Sequence, residues 1–242
     1  ADARAWVVRN LRDGRVEEAR FAAELTGADW ESIDVSTFSG EAAVKGASVH
    51  YLRPMPPITD VDGKVLFGLK AVEVLPDTGH VGDLVIQPGG RVVLSGLADE
   101  TQYADIEADI VGPVRDALKL VDREPLKLLS ALGTIDPNGI SGKGRTHLSM
   151  RFPLLNDLRL ADMTVKATSK ITEGVVKDAI PGRSLAVGVL DLAVDLDGLS
   201  IKGEGKVNGV PMKLGWDEKF SGPGVRTRYT VSSVVDDAGR KA

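Results

Sequence analysis

The sequence predicts a mainly β protein: antiparallel strands joined by hairpin turns, a short N-terminal helix, and a central helical insert at about residues 113–132. Three observations carry this. Leu190, Leu192, Val194 and Leu196 alternate with Asp191, Asp195 and Asp197, the period of a strand with one apolar and one solvated face. Turn dipeptides, Asp197-Gly198 and Asn208-Gly209, punctuate the alternation, and Asn-Gly is the strongest short hairpin signal. Glycine supplies 27 of 242 residues, above the usual fraction of about 7%, while aromatics are only 5%. Many tight turns and few bulky anchors fit a large sheet.

Taken in order, residues 2–12 read as a short amphipathic helix bearing Trp6, Val7 and Leu11 and stopping at Gly14. From Val16 the period becomes two, through Ala19, Phe21, Ala23 and Leu25; a slip at Glu17-Glu18 reads as a bulge. Residues 35–110 read as short strands, broken at Gly40 and Gly46, by a Pro-rich loop from Arg53 to Pro57, and by a turn at Pro88-Gly89-Gly90. The clearest of them sets Ala104, Ile106, Ala108 and Ile110 against Asp105, Glu107 and Asp109. After Gly112-Pro113, Val114, Ala117, Leu118 and Val121 are spaced as a helical stripe, with Pro113 suited to a first turn. A second short helix is predicted from Leu126 to Leu132, ending at Gly133, and then a turn-rich loop from Ile135 to Gly142. Strands resume after Gly144, at 146–152 and 163–171. Ile201, Gly203, Gly205 and Val207 alternate with Lys202, Glu204 and Lys206; Val210, Met212, Leu214 and Trp216 continue after the Asn-Gly turn, and 225–235 form a last strand. The total is about twelve to fourteen strands.

Composition excludes several functions. A net charge of −5 does not suit a dedicated nucleic-acid binder. Without cysteine there is no disulfide, zinc-thiolate site or cysteine nucleophile. No apolar run is long enough for a membrane-spanning helix. The chain begins without Met or a signal peptide, in mid-pattern, and is expected to be a piece of a longer protein.

No motif suggests catalysis. Asp77-Thr78-Gly79 matches half of an aspartic-protease pair, but that chemistry needs two such carboxylates; a turn between strands is expected there. Around Gly142-Lys143 a phosphate loop fails, because Gly144 follows the lysine and Pro137 replaces the first glycine. Asp60–Gly63 and Asp195–Gly198 lack the remaining ligands of a calcium loop and read as Asp-Gly turns. His50, His80 and His147 stand alone. No catalytic residue, metal or cofactor is expected.

What remains is the alternating apolar face. One reading is the core of a β-sandwich, buried against a second sheet. The other is a surface that solvates acyl chains, with Gly203, Gly205, Ala186 and Ala193 leaving width for a guest.

The run from Asp195 to Phe220, the opening Ala5–Phe21, the middle Ile106–Gly142 and the segment Phe152–Val165 resemble AsmA-like envelope proteins, more narrowly the YhdP-type domain of unknown function common in α-proteobacteria. The likeness spans essentially the whole chain. It implies a long curled antiparallel sheet, a β-taco or repeating β-groove, with an apolar concave face and no catalytic residues. It implies a Gram-negative periplasmic location, tethered to the inner membrane by an N-terminal anchor that is missing here. The implied role is phospholipid transport between inner and outer membranes. Implied partners are phospholipid acyl chains and neighbouring segments of the same full-length chain, and no nucleic acid. The whole chain is then a single groove segment whose helical insert caps or plugs the groove. The expected lipid-binding residues are Leu190, Leu192, Val194, Leu196, Ile201, Val207, Val210, Met212, Leu214, Ala104, Ile106, Ala108 and Ile110. The rival is a non-transporting structural or outer-membrane assembly module. An outer-membrane barrel fits the alternation but not the central helices or the scarce aromatics.

Overall fold

The computed structural model describes residues 8–29, 31–124, 126–127, 129, 136–155, 158–180, 182–221 and 224–234. It is mainly β, with one antiparallel sheet of thirteen strands. They are β1 (Leu11–Thr26), β2 (Asp34–Val49), β3 (Ile58–Gly68), β4 (Ala71–Val81), β5 (Leu84–Ile86), β6 (Arg91–Ser95), β7 (Tyr103–Pro113), β8 (Ile140–Pro153), β9 (Thr164–Ile180), β10 (Arg183–Asp195), β11 (Gly198–Val207), β12 (Val210–Lys219) and β13 (Thr227–Ser232). Helix α1 (Val114–Val121) links β7 to β8. Strands neighbour one another in chain order, except that β5 precedes β7 directly and β6 pairs with both β4 and β7. Because the strands form one sheet, the sandwich reading fails: no second sheet is present among the described residues to cover an apolar face.

The chain divides into two compact units. The first comprises residues 1–81, 85–109 and 149–164; the second comprises 82–84, 110–148 and 165–242.

In the first unit the register carries apolar rows across the strands. Ala19, Ala42, Val65, Val74, Val92 and Ile106 form one; Phe21, Gly40, Phe67, Val72, Leu94 and Ala104 form the next. Phe21 packs against Phe38 and Phe67 at centroid distances of 6.0 and 5.6 Å. The slip at Glu17-Glu18 is a register shift between Val16 and Glu18, as expected. Other expectations are corrected. The strand begins at Leu11, so helix is confined to 8–10 within the described residues, and Gly14 lies inside β1. Trp6 and Val7 lie outside the described residues. Neither Gly40 nor Gly46 breaks β2. Gly40 underlies the Phe21 ring. Gly46, at φ 65°, is a bulge whose N–H donates to Asp62 Oδ1 at 2.9 Å. Side-chain support for the backbone lets the strand absorb the kink and continue. Asp60–Gly63 and Asp77–Gly79 lie within β3 and β4 rather than in turns: Gly63 pairs with Val44 and Pro76, and Thr78 pairs with Asp62, so the ladder runs on through both segments.

In the second unit α1 begins after Pro113 as its spacing predicts. Val114 is buried, and Arg115 Nε donates to the Ile140 carbonyl at 3.2 Å. The predicted helix at 126–132 lies largely outside the described residues; Leu129, within them, is buried. β8 starts at Ile140, not after Gly144, because only Pro137–Gly139 close a 3-10 turn, capped by the Asp136 side chain accepting from Asn138 N. The β11–β12 hairpin has Asn208 and Gly209 at φ 49° and 81°, two consecutive left-handed residues that match the twist of the flanking strands.

Candidate functional site

The second unit carries a continuous apolar face across β9–β13. Strand register builds it. Leu192 lies between Ser169 and Ile201, and Ile201 faces Trp216, which faces Tyr229. One row along, Ile171, Leu190, Gly203, Leu214 and Val231 are aligned. The next contains Gly174, Val187, Gly205 and Met212, and the next Val176, Leu185, Val207 and Val210. A bulge at Gly188 restores the phase between Val187 and Leu190, so both point to the same side.

This face is not a closed core. Val187 and Val207 are 7% and 6% exposed, but the Leu190, Leu192, Ile201 and Leu214 side chains are half-buried. Among the described residues, no large side chain in the protein is fully buried. A sheet face covered by a second layer would bury these leucines, as each contributes about 1.5–3 kcal/mol when fully removed from water.

The opposite face is charged and self-paired. Asp191 sits between Lys170 and Lys202, with Lys170 Nζ 3.8 Å from its carboxylate. Lys143 and Glu173 pair at 2.8 Å, and Ser200 Oγ donates to Asp217 at 2.7 Å. Such exposed cross-strand pairs contribute only about 0.2–1 kcal/mol each. They mark a solvated surface.

The first unit has a comparable arrangement. Arg151 donates to both Asp105 oxygens at 2.6 and 2.7 Å and lies 4.7 Å from the Tyr103 ring centroid. Arg91 pairs with Glu73, whose carboxyl is held below its ordinary range mainly by that hydrogen bond. Asp62 is likewise held low, first by the Gly46 N–H and then by Lys45, 3.0 Å away. These ion pairs fasten strands and bulges.

The sequence-predicted lipid-binding residues fall into two groups. Leu190, Leu192, Val194, Ile201, Val207, Val210, Met212 and Leu214 share the face of the second unit. Leu196 has left the ladder, since β10 ends at Asp195, and sits half-buried in the turn to β11. Ala104, Ile106, Ala108 and Ile110 lie along β7, the first three in the first unit and Ile110 in the second. Ala104 is only 2% exposed, a packed position beside Leu94. Sequence reasoning missed Ile171, Val187, Tyr229 and Val231, which register alone brings onto the face. Trp216 was visible as the continuation of the Val210, Met212, Leu214 alternation.

The expected width for a guest is corrected. A Cβ on Gly203 would collide with the Val189 carbonyl oxygen and approach Leu190 Cδ2 to 2.7 Å. One on Gly205 would lie 2.8 Å from both Ala186 O and Leu185 Cδ1. Neighbouring strands already fill these spaces. Ala186 and Ala193 are exposed and pair with Lys206 and Ser200 on the charged face.

Among the described residues no group of three or more His, Asp or Glu side chains is placed to hold a metal, and no helix is long and apolar enough to cross a membrane. His80 Nδ1 is buried without a hydrogen-bond partner. Comparisons with protein-family models, with curated proteins and with solved structures find no significant match to this chain.

Proposed function

We propose that the chain is a lipid-binding segment of a cell-envelope protein, which holds phospholipid acyl chains on the apolar face of its sheet. The observation that supports this is the in-register face of β9–β13: aligned aliphatic side chains, most of them half-buried, backed by a charged face with cross-strand pairs. Each methylene of a guest removed from water contributes about 0.8 kcal/mol without demanding a particular shape. A face of this kind therefore favours chains over any one molecule. On this reading the full-length protein works in the periplasm, tethered to the inner membrane, and passes phospholipid between inner and outer membranes. Neighbouring segments of the same chain then extend the sheet at its open edge strands, β1 and β13, as unpaired edges require cover.

Photocrosslinking tests it. A photoreactive residue replaces Leu192 in one protein and Asp191 in another, each exposed to phospholipid before irradiation. Mass spectrometry should find lipid adducts at position 192 and few at 191. Adducts only at 191 place the lipid on the charged face and refute the assignment. Adducts at neither position, with both proteins folded, support a structural or assembly module instead.

A further inference from the structure

The apolar face of the second unit changes chemistry at one place. Along β12, Val210, Met212, Leu214 and Trp216 share that face, and the next residue on it is Glu218. Glu218 is half-buried between Leu199 on β11 and Thr227 on β13. Trp216 Nε1 donates to its Oε2 at 3.2 Å. Among the described residues it has no ion-pair partner. Lys213, Lys219 and Arg228 alternate onto the opposite face, where Arg228 faces Asp217. Beside the carboxylate, Trp216 and Tyr229 make a two-ring wall, with centroids 5.6 Å apart and planes inclined by 34°. Tyr229 is 61% exposed, so its ring is open to solvent.

A carboxylate held at the edge of one indole, with no ion-pair partner among the described residues and an exposed phenol ring alongside, is chemistry that receives an organic ammonium. Its position adds the rest. Trp216 and Tyr229 close the row that contains Leu192 and Ile201, and Glu218 stands one row beyond, where the aliphatic face ends on β12. A molecule lying along this face with its chains over Leu190, Leu192 and Leu214 presents its polar end to the carboxylate and the rings.

We infer that Trp216, Glu218 and Tyr229 form a subsite for the ammonium of an amphiphile headgroup of the ethanolamine or choline type. The chain half of this inference rests on the lipid-binding reading; the ammonium half stands on these three residues. Tetrahedral ammonium groups suit the site and anionic glycerol headgroups do not, because Glu218 repels the latter. A cation on an exposed ring gains about two- to five-fold in affinity from that contact alone. The carboxylate adds to that preference.

The test uses the full chain with Trp6→Phe and Trp30→Phe, which leaves Trp216 as the only tryptophan. Phosphocholine and glycerol phosphate are titrated separately against its fluorescence, and then phosphatidylethanolamine and phosphatidylglycerol in mixed micelles. The expected result is a saturable response to phosphocholine, none to glycerol phosphate, and a preference for phosphatidylethanolamine that Glu218→Gln reduces at least two-fold. Leu192→Asp should abolish lipid binding yet leave the phosphocholine response in place. A phosphocholine response without lipid binding in the parent chain keeps the ammonium subsite and refutes the lipid-binding reading. Lipid binding with no headgroup preference, or a preference that Glu218→Gln does not change, overturns the subsite and leaves that reading standing. An equal response to N-acetyl-lysine amide reassigns the subsite to a protein side chain and overturns the amphiphile.

Discussion

Gly40 in β2 and Gly203 in β11 hold comparable places in their two units. Each sits on an apolar row, flanked by bulky neighbours, in a strand that continues through it. What fills the space above them differs. Over Gly40 lies the ring of Phe21, itself 59% exposed, and the nearest backbone atom, Arg20 O, is 3.1 Å from an added Cβ. At Gly203 the obstacle is backbone: the Val189 carbonyl, with Leu190 Cα 2.8 Å from an added Cβ. One glycine is a seat for a side chain and the other is a condition of strand approach. A glycine in a strand is therefore not evidence of free volume; its meaning depends on whether a side chain or a main chain has moved in.

The largest expected effect breaks this comparison if it is wrong. Gly203→Ala should destabilise the protein by about 3 kcal/mol, the upper range for overpacking against a fixed neighbour, while Gly40→Ala costs about 1 kcal/mol or less. Urea midpoints of the two variants at equal slope decide it; equal losses would show that Phe21 is held as firmly as backbone. A smaller effect belongs to the β11–β12 turn. Gly209 has φ 81°, so Gly209→Ala should cost about 1 kcal/mol through the left-handed backbone alone. The same midpoint measurement checks it, and no loss would mean that the turn relaxes to another type.

The smallest effect sharpens the view of bulges in the first unit. The Gly46 N–H, followed by Lys45, holds the Asp62 carboxyl below its ordinary value of 3.8. A lowered folded-state value contributes stability that is fully present above the unfolded value and is lost as pH falls through the folded one. Wild-type stability should thus decline in acid, below the ordinary carboxylate range, and Asp62→Asn should show a shallower decline. Urea midpoints at about pH 5 and about pH 2.5 test the sign. An unchanged slope would mean that the Lys45–Asp62 pair is too exposed to register.

Much of the fold was legible because alternation and turn chemistry act locally. Leu190 to Leu214, the Asn208-Gly209 turn and the Val114–Val121 helix needed no distant partner to be read. The misreadings have a common cause. Gly46, Asp60–Gly63 and Asp77–Gly79 look like turns in isolation but lie inside strands whose ladders continue past them. Likewise Leu196 continued the alternation on paper, yet Asp195 Oδ1 accepts from Asp197 N and Gly198 N and ends the strand before it.

The sequence by itself determined the class of fold, the phase of the best strands and which residues are apolar on each, because side-chain direction in a strand has a period of two. Only the tertiary structure decided which rows those residues join. Register brought Ile171, Tyr229 and Val231 beside the predicted residues and set Glu218 at the end of their face. It also closed the spaces that Gly203 and Gly205 seemed to open. The physical reason is that a strand's own pattern fixes its two faces, while the residues beside it depend on hydrogen-bonded partners far away in the chain.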